Sequence, residues 1–347
     1  MTEEEFDELR PSAFAIAYRM LGSVSEAEDM VQEGFLRLHG ARASGERIES
    51  PRAYLSTVVS RLSLDHLRSA AVRRETYVGE WLPEPLLASA DDDPARKAEV
   101  ADSLSLAFLV LLESLSPEQR AAFLLREVFD EPYDRIAEIV GTSQQNARQL
   151  ATRARRHVDE RRPRFEASRE QREELATRFF AAAEDGDLQG LEELLAHDVV
   201  LHGDGGGKAP ALARPIHGRT RVARILTAGF ARLQTVLGGH ISRREEVNGQ
   251  PGALFFDRTG GLIAVMILDV AEGRIQGVSS IVNPDKLGHL GPVADLRALL
   301  RERTSPSELS HGEPRRSRDG DERAGTRVAG TGAGHPIAGS LWRGRSG

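Results

Sequence analysis

Apolar residues recur every three or four positions through most of the first 160 residues, which is the spacing of one buried face of an amphipathic helix. The stretches "FAIAYRML" and "AEDMVQEGFLRLHG" predict two helices, with Ser25 as the cap of the second and Glu28 three residues further on. A third helix is predicted over "SPRAYLSTVVSRLSLDHLRSA", because Pro51 suits a first helical turn. Together these helices form the first helical block, predicted over residues 6–72.

A second helical block is predicted over residues 99–164, and it contains a short helix, a glycine turn and a longer basic helix. In "EPYDRIAEIVGTSQQNARQLATRARRHV", residues Tyr133–Val140 form the short helix, Gly141 ends it and Ser143 caps the next one. This order is typical of a helix-turn-helix, whose second helix lies in the major groove of DNA. An ordinary helical hairpin with a basic, solvated face is the alternative.

The C-terminal domain, predicted over residues 170–290, combines helices with strands. The stretch "LATRFFAAAEDGDLQGLEELLAHDVVLHGDGGGK" predicts a helix, a Gly-Asp break, a second helix and a strand. After it, "GALFFDR", "GLIAVMILDV" and "GRIQGVSSIV" are apolar runs of β type separated by glycine turns. We expect an α+β fold in which helices pack on a curved antiparallel sheet.

Two further segments differ in composition from these blocks. The linker, residues 73–98, contains prolines, an acidic cluster and Trp81, one of only two tryptophans. Residues 301–347 contain mainly Arg, Gly, Ser, Pro and Glu, and they are predicted to be disordered. The chain is therefore predicted to be multidomain, with two all-α blocks followed by an α+β domain and a tail.

The composition excludes several classes of site. The 347 residues include no cysteine, which excludes disulfides, thiolate metal ligands and cysteine nucleophiles. The acidic start "MTEEEFDELR" lacks the features of a signal peptide, and no apolar run approaches the roughly twenty residues that span a bilayer. A cytoplasmic protein without membrane contact is expected. The net charge of −7 is unevenly distributed, because seven arginines against two acids lie between Gln144 and Arg164.

The basic helix of the second block carries residue types that suit DNA. Amide side chains pair with adenine and arginine pairs with guanine, so residues near the start of the helix are predicted to contact base edges. Later arginines are predicted to contact phosphates, which would make binding dependent on salt. The predicted base-contacting residues are Gln144, Gln145, Asn146 and Arg148. The predicted phosphate-contacting residues are Arg153, Arg155 and Arg156.

These motifs resemble those of a known family. Through "SEAEDMVQEGFLRLHG" and "SPRAYLSTVVSRLSLDHLRSA", the first helical block resembles domain two of bacterial sigma factors, which binds the RNA polymerase clamp and opens the promoter. The second block resembles sigma domain four, whose helix-turn-helix reads the upstream promoter element. Two such domains without a middle domain resemble the extracytoplasmic-function class. The resemblance implies RNA polymerase core (the β′ clamp and the β flap) and promoter DNA as partners.

The resemblance also assigns roles to individual residues. On the second predicted helix, the positions where the family docks on polymerase are Asp29, Gln32, Glu33 and Leu36. On the third, the positions that match the helix handling the downstream promoter element are Tyr54, Arg61, Asp65 and Arg68. The class often has asparagine where this chain has Arg61, which leaves open which unpaired base is captured. Tyr54 and Asp65 also fit simple core and surface positions.

Three further motifs narrow the resemblance to one subgroup: "YVGEWLPEPL" in the linker, "DGGGK" (Asp204–Lys208) and "NPDKL" (Asn283–Leu287). Sigma factors of this subgroup carry a fused C-terminal SnoaL-like domain of the nuclear-transport-factor-two fold, which is expected to regulate the sigma core in cis. The predicted interdomain residues are Trp81, Asp204, Gly205, Gly206, Gly207, Lys208, Asn283, Pro284, Asp285, Lys286 and Leu287. A tryptophan covering the nearest helix, an exposed glycine turn and a strand-ending turn are the alternatives.

The "DGGGK" loop does not match a phosphate-binding P-loop. The first glycine of that motif is replaced by His202, Ala209 has no hydroxyl for magnesium, and Pro210 does not suit a helix start. Glycine has no Cβ, so the backbone of this loop can approach another surface closely. We expect that surface to belong to the sigma-like helices.

Catalysis and ligand binding are weaker hypotheses. Domains of this α+β type often enclose a pocket, where a carboxylate base beside a hydrogen-bond donor would serve proton transfer. Spacing singles out none of the candidates, which are His202, Asp204, His217, Asp257 and Asp269. We predict no enzymatic activity, cofactor or metal, and leave open a small ligand in the C-terminal domain. The alternative function is a one-component DNA-binding regulator, independent of polymerase, whose C-terminal domain senses a ligand.

Overall fold

The computed structural model describes residues 2–74, 77–87, 104–160, 168–237 and 241–302. Its first helical block contains α1 (Glu3–Leu21), α2 (Val24–Ala43) and α3 (Pro51–Arg74). Ser23, and not the predicted Ser25, caps α2, because the extended backbone at Ser23 lets its hydroxyl accept the amide of Glu26. The three predicted helices are present, and α2 begins two residues earlier than its predicted cap implies.

The second helical block begins its described part with a short apolar helix and ends with two helices joined by a tight turn. Its helices are α4 (Leu106–Leu112), α5 (Pro117–Glu127), α6 (Tyr133–Val140) and α7 (Gln144–Asp159). Gly141 takes the left-handed conformation (φ 76°) that ends α6, and the Ser143 hydroxyl accepts the amide of Asn146 to begin α7. The predicted helix-turn-helix is confirmed, with α7 as its longer, basic helix.

The C-terminal domain has the predicted α+β organisation. Its elements are α8 (Arg169–Asp185), α9 (Leu188–Leu194), β1 (Leu195–Asp204), β2 (Ile216–His217), α10 (Arg219–Leu237), β3 (Ile241–Val247), β4 (Gln250–Phe256), β5 (Leu262–Ala271), β6 (Arg274–Ile281), two 3-10 turns (Pro284–Lys286 and Gly288–Leu290) and α11 (Leu296–Glu302). The predicted tail begins within α11, and its residues from 303 onward lie outside the described residues. Of the predicted linker between α3 and α4, residues 77–87 are described.

The six strands form one sheet in the order β2-β1-β6-β5-β4-β3. Among the described strands, four of the five pairs of neighbours are antiparallel, as expected, but β1 and β6 are parallel, with Leu201 opposite Val278. Helix α10 carries the chain from β1 to the far edge, and a four-strand meander returns with its last strand pointing the same way as β1. The sheet is therefore mixed, and the ends of β1 and β6 lie side by side.

Each face of this sheet is covered by a different layer. One face packs on α8, α9 and α10, with Phe180 and Phe255 in the shared core. The opposite face is covered by Leu82 of the linker and Leu106 of α4, and we call it the linker face. Burial of such side chains stabilises a fold by about 1.5–3 kcal/mol each. None of the described helices combines the length and apolar character that crossing a lipid bilayer requires.

Candidate interdomain and nucleic-acid interfaces

A buried ion pair at the end of β1 holds the backbone of the linker. Asp204 Oδ2 lies 2.6 Å from Lys286 Nζ, and both side chains are almost fully excluded from solvent. The amide of Leu82 donates to Asp204 Oδ2 (2.9 Å), and Lys286 Nζ donates to the carbonyl of Leu82. One ion pair thus satisfies both backbone groups of a single linker residue. We call Asp204 and Lys286 the linker clamp.

Two aromatic residues of the linker pack around this clamp. The Tyr77 hydroxyl donates to Asp204 Oδ1 (2.6 Å) and accepts from Asn283 Nδ2 (2.9 Å). Burial raises the pKa of Tyr77, and the hydrogen bond and charge of Asp204 raise it further. Lys286 Nζ lies 4.2 Å from the centroid of the Trp81 ring, a cation–π contact. The predicted residues Trp81, Asp204, Asn283 and Lys286 are therefore brought together at one contact.

The glycines of "DGGGK" bring the loop backbone against the linker and the "NPDKL" turn. Gly206 and Gly207 have φ of 55° and 69°. A Cβ on Gly207 would lie 3.0 Å from Val78 Cβ, and one on Gly206 would lie 2.2 Å from Asn283 Nδ2. A Cβ on Gly205 would meet the loop's own backbone at Ala209. Glycine is required here by close approach as well as by backbone conformation.

The remaining predicted interdomain residues do not reach the linker through polar groups. Lys208 Nζ lies 2.6 Å from Asp285 Oδ2 in an exposed pair within the C-terminal domain. The loop was expected to meet the sigma-like helices, but its glycines lie against Val78 of the linker and Asn283 of the "NPDKL" turn. Pro284 opens the 3-10 turn, where its fixed φ fits. Leu287 is fully buried on the linker face of the sheet.

The other side of the linker contacts the first helical block through Glu84. Its carboxylate accepts the amide of Val24 (2.7 Å) and the hydroxyl of Ser23 (2.8 Å), so it satisfies donors at the beginning of α2. A carboxylate at a helix N-terminus is favoured by the helix dipole. Trp81 also lies close to Gly22, where a Cβ would be 2.8 Å from the ring. The linker is held between the first helical block and the C-terminal domain.

The sequence analysis missed the contact point at the β3–β4 turn. Asn248 Nδ2 donates to the Tyr18 hydroxyl (2.7 Å) and to the carbonyl of Leu104 (3.0 Å), while its Oδ1 accepts the amide of Leu86 (2.9 Å). Its backbone is left-handed (φ 53°), a conformation that asparagine tolerates better than most residues. The "NG" pair signals a hairpin turn, but nothing local in the sequence indicates partners in three other segments.

The candidate catalytic residues do not form one site, because each of them has different neighbours. His202 Nδ1 donates to Glu80 Oε1 of the linker (2.6 Å), and Asp204 belongs to the linker clamp. His217 is exposed on β2, and Asp257 accepts amides in the β4–β5 turn. Of these five candidates, only Asp269 has a buried oxygen without a hydrogen-bond partner among the described residues.

Asp269 lies on β5 opposite Gly277, and a Cβ on that glycine would be 2.8 Å from Asp269 Oδ2. Burial raises the pKa of Asp269 to about 7, although the charge of His202 works in the opposite direction. This carboxyl is therefore largely protonated in mildly acidic solution. Within the described ranges, no group of three His, Cys, Asp or Glu side chains is placed to hold a metal ion.

The beginning of α7 presents most of the predicted base-contacting residues to solvent. Gln144, Gln145 and Arg148 are exposed. Asn146 is half-buried, and its Nδ2 donates to the Thr142 hydroxyl (2.8 Å), which ties it to the turn. The buried stripe of α7 consists of small residues and Val158, which pack on α5 and α6. The polar face of the helix is thus free to meet a partner.

The arginines of α7 differ in what contacts their guanidinium groups. Arg155 lies 3.4 Å from Glu127, Arg156 lies 3.0 Å from Glu160, and Arg153 Nε donates to the carbonyl of Gln149. All three are exposed. Exposed ion pairs of this kind are worth about 0–1 kcal/mol, so phosphates can displace the carboxylates.

The predicted DNA-contacting arginines of α3 are engaged by acidic residues of the second helical block. Arg61 Nη2 lies 3.0 Å from Glu138 Oε1 and also donates to the carbonyl of that residue. Arg68 Nε lies 3.0 Å from Glu118 Oε1. Tyr54 is half-buried against the helical core. The structure therefore holds both arginines against α5 and α6.

The predicted polymerase-contacting residues share one face of α2. Asp29 and Gln32 are exposed, Glu33 pairs with Arg37, and Leu36 is 61% exposed, which is unusual for a large apolar side chain. The cavity beside them, about 470 Å³, is lined by Phe6, Val31, Phe35 and other residues of α1 and α2. Leu36 and the apolar lining of this cavity thus lie beside the other predicted polymerase-contacting residues of α2.

Both helical blocks match models of known protein families. The model for Sigma-70 region 2 matches residues 6–73, and that for Sigma-70, region 4 matches residues 105–158. The chain is 40% identical over 298 residues to the ECF RNA polymerase sigma factor SigJ of Mycobacterium tuberculosis (strain ATCC 25618 / H37Rv), which covers 82% of this chain and 93% of the relative. It is 35% identical over 277 residues to the probable ECF RNA polymerase sigma factor SigI of M. tuberculosis (strain CDC 1551 / Oshkosh), covering 79% and 91%.

A solved structure extends the similarity to the arrangement of the elements. The crystal structure of M. tuberculosis extracytoplasmic function sigma factor SigJ matches with a TM-score of 0.67 and 36% sequence identity. The match covers 83% of this chain and 98% of that one, so it includes the C-terminal domain as well as the helical blocks.

Proposed function

The chain belongs to the extracytoplasmic-function sigma factors of RNA polymerase, and on that premise we propose that its C-terminal domain regulates the sigma domains in cis by holding them in a closed state. Sigma-70 regions 2 and 4 imply interaction with RNA polymerase core and with promoter DNA. We propose that the exposed face of α2 docks on the β′ clamp, that the second block contacts the β flap, and that the protein works with cytoplasmic polymerase.

The observation that supports cis regulation is the linker clamp. Asp204 and Lys286 belong to the C-terminal domain, but they hydrogen-bond both backbone groups of Leu82, which connects the two sigma regions. Since regions 2 and 4 are proposed to contact promoter elements that lie apart along the DNA, we expect the two regions to separate on binding. A domain that holds their linker restrains that separation.

Covalent fusion makes this restraint effective without high affinity. A tethered domain faces its target at an effective concentration in the millimolar range, so modest contacts keep the closed state populated. Polymerase opens the chain only if its preference for the open state exceeds the free energy of these contacts. The free energy of the contacts that hold the linker is therefore the minimum preference for the open state that polymerase must have to open the chain.

In vitro transcription with purified core polymerase tests this proposal. The clamp variant combines Asp204→Ala with Lys286→Ala, and the matched control combines Lys208→Ala with Asp285→Ala, which removes the exposed pair between the same two segments. We expect the clamp variant to initiate several-fold faster at low core concentration and the control to match the wild type. Equal activity of all three proteins would contradict cis regulation, and failure of the wild-type chain to bind core would remove its premise.

The two other hypotheses receive less support. A polymerase-independent regulator is not favoured, because both helical blocks match sigma regions. We assign no catalytic step to the chain, since sigma factors generally act by binding and the candidate acids and bases are spread over separate surroundings.

A further inference from the structure

The guanidinium group of Arg148 is held differently from those of the later arginines of α7. It lies over the ring of Tyr133, 5.0 Å from the centroid. Among the described residues, no carboxylate pairs with Arg148, whereas Arg155 and Arg156 both have carboxylate partners. The arginine expected to meet a base is therefore held by an aromatic face.

The ring of Tyr133 is itself fixed in place. Tyr133 is the first residue of α6, and its side chain is half-buried against the core of the helical blocks. A second guanidinium, that of Arg126, lies 5.2 Å from the same ring centroid. Arg126 is in turn held by the carbonyl of Glu131 (3.2 Å) and the carboxylate of Asp130 (3.1 Å). Tyr133 therefore offers Arg148 a stationary surface.

A cation–π contact, unlike an ion pair, does not tie the N–H edge of the Arg148 guanidinium to a carboxylate. That edge is the part that forms two parallel hydrogen bonds with O6 and N7 of guanine. A free arginine side chain has many rotamers, and part of that freedom is lost on binding. A cation–π contact that already holds the side chain in one orientation reduces the entropy lost when that orientation is used for binding.

We propose that Tyr133 is a positioning residue for promoter recognition, which presents the N–H edge of Arg148 to a guanine in the upstream element. The inference rests on the proposed promoter-reading role of α7 and names a residue outside that helix as a determinant of its specificity. Tyr133 itself need not touch DNA. Arg153, Arg155 and Arg156 would supply affinity that does not depend on sequence.

The test uses holoenzyme assembled from the full chain and core polymerase. A duplex is selected from a randomised pool with the wild-type holoenzyme, and each base pair of its upstream element is then substituted in turn. Affinities are measured for wild type, Tyr133→Phe, Tyr133→Trp, Tyr133→Leu, Arg148→Lys, Arg148→Ala and the double variant Tyr133→Leu with Arg148→Ala. Arg156→Ala is the control for a phosphate contact, and the dependence of affinity on salt is recorded for every variant.

We expect Tyr133→Leu to lose about 3- to 10-fold of discrimination at one base pair and Tyr133→Phe to lose less than about 2-fold. The salt dependence should stay unchanged in both, but decrease in Arg156→Ala. Arg148→Lys should lose the same base-pair preference, and adding Tyr133→Leu to Arg148→Ala should cause no further loss. Tyr133→Trp keeps a ring and should keep the preference, which preserves the test if the leucine variant unfolds.

Three outcomes would overturn the inference. Tyr133→Leu could weaken binding to the selected and substituted duplexes equally, which would show a purely structural role. Tyr133→Trp or Tyr133→Phe could lose the preference as fully as leucine does. A wild-type holoenzyme without any base preference in this element would overturn the promoter-reading role of α7 together with the inference that rests on it.

Discussion

At the scale of residues, two ion pairs join the same two segments of the C-terminal domain and differ in burial. Asp204 and Lys286 are 0% and 7% exposed, whereas Lys208 and Asp285 are 58% and 59% exposed. In a buried pair each charge depends on the other and on its hydrogen bonds, because water cannot replace them. The exposed pair interacts through water, which weakens it.

Removing one charge should therefore lower the free energy of unfolding by different amounts in the two pairs. We expect Asp204→Asn to lower the free energy of unfolding by about 3–5 kcal/mol, since it leaves Lys286 buried without a counter-charge. Lys208→Ala should lower it by at most about 1 kcal/mol. Urea titration followed by circular dichroism measures both. Similar losses in the two variants would show that the clamp is far more hydrated than the structure indicates.

Asp269 predicts a dependence of stability on pH. Its folded-state pKa is about 7 because of burial, compared with about 3.8 when exposed, so the folded protein holds this proton more tightly. The contribution is complete below about pH 4 and is lost as the pH rises through about 7, with an upper limit of about 4 kcal/mol. Asp269→Asn should match the wild type near pH 4 and exceed it in stability near pH 8, as measured by thermal unfolding.

Asp257 is a control for Asp269, because its pKa is shifted in the opposite direction. Burial opposes its ionisation, but hydrogen bonds from Thr259 and from the amides of Gly261 and Gly260 outweigh that and lower its pKa. Its contribution is present above its unfolded-state pKa and is lost as the pH falls. Asp257→Asn should therefore reduce stability near neutral pH, where Asp269→Asn increases it. If both variants shift stability in the same direction at neutral pH, the assignment for Asp269 is wrong.

At the scale of elements, α3 is held by α5 and α6 through groups that a nucleic acid would replace. The carboxylates of Glu138 and Glu118 lie 3.0 Å from the guanidinium groups of Arg61 and Arg68, where phosphates would lie if α3 bound DNA. These contacts are exposed and individually weak. If α3 binds DNA as predicted, these carboxylates would compete with DNA for the same two arginines.

Neutralising both acids should increase the affinity of holoenzyme for promoter DNA. We expect Glu118→Gln combined with Glu138→Gln to increase the affinity of holoenzyme for promoter DNA by about 2- to 10-fold, since each exposed pair is worth up to about 1 kcal/mol. Fluorescence anisotropy with a labelled promoter duplex measures the change. Glu173→Gln removes an exposed acid that pairs with Arg169 within α8 of the C-terminal domain, and serves as control for the altered net charge. An unchanged affinity in the double variant would show that the arginines of α3 do not meet DNA.

The helices were predictable because their signals are local. Gly141 and Ser143 end α6 and begin α7 as the sequence analysis expected, since a left-handed residue and a cap act within a few positions. The cap of α2 was misplaced because the carboxylate of Glu84, sixty residues away, takes the amides of Val24 and Ser25 and leaves Ser23 as the cap. The parallel pairing of β1 and β6 is equally nonlocal, because it depends on where the α10 crossover leaves the chain.

The site was predicted in part. The motifs placed Trp81, Asp204, Asn283 and Lys286 in one interface, but the Lys208 side chain pairs within its own domain. Other contacts, made by Glu84, Tyr77, Glu80 and Asn248, were missed. Their partners lie about 60 to 230 residues away in sequence, and no spacing rule connects residues at such separations.

At the scale of the whole molecule, the closed state can be locked by a single covalent bond, because the chain contains no cysteine to interfere. A Cβ built on Gly207 lies 3.0 Å from Val78 Cβ, somewhat closer than the roughly 3.8 Å of a disulfide. We expect Val78→Cys combined with Gly207→Cys to be inactive in transcription when oxidised and to recover on addition of dithiothreitol. Val78→Cys alone and Gly207→Cys alone should not respond to reductant, and the second variant also reports the effect of a side chain at the left-handed position 207. An oxidised double variant as active as the reduced one would show that the linker need not leave this loop.

A residue of the β3–β4 turn forms hydrogen bonds with three distant parts of the chain. One amide side chain, that of Asn248, serves α1 through Tyr18, the linker through Leu86 and the approach to α4 through Leu104. If any one of these segments moves away, the Asn248 amide loses one of its hydrogen bonds, and its remaining hydrogen bonds then stabilise the closed arrangement less. Under the proposed cis regulation we therefore expect detachment to be all-or-none, so that intermediate activity in a cell would reflect the fraction of molecules that have opened and not the extent to which each has loosened.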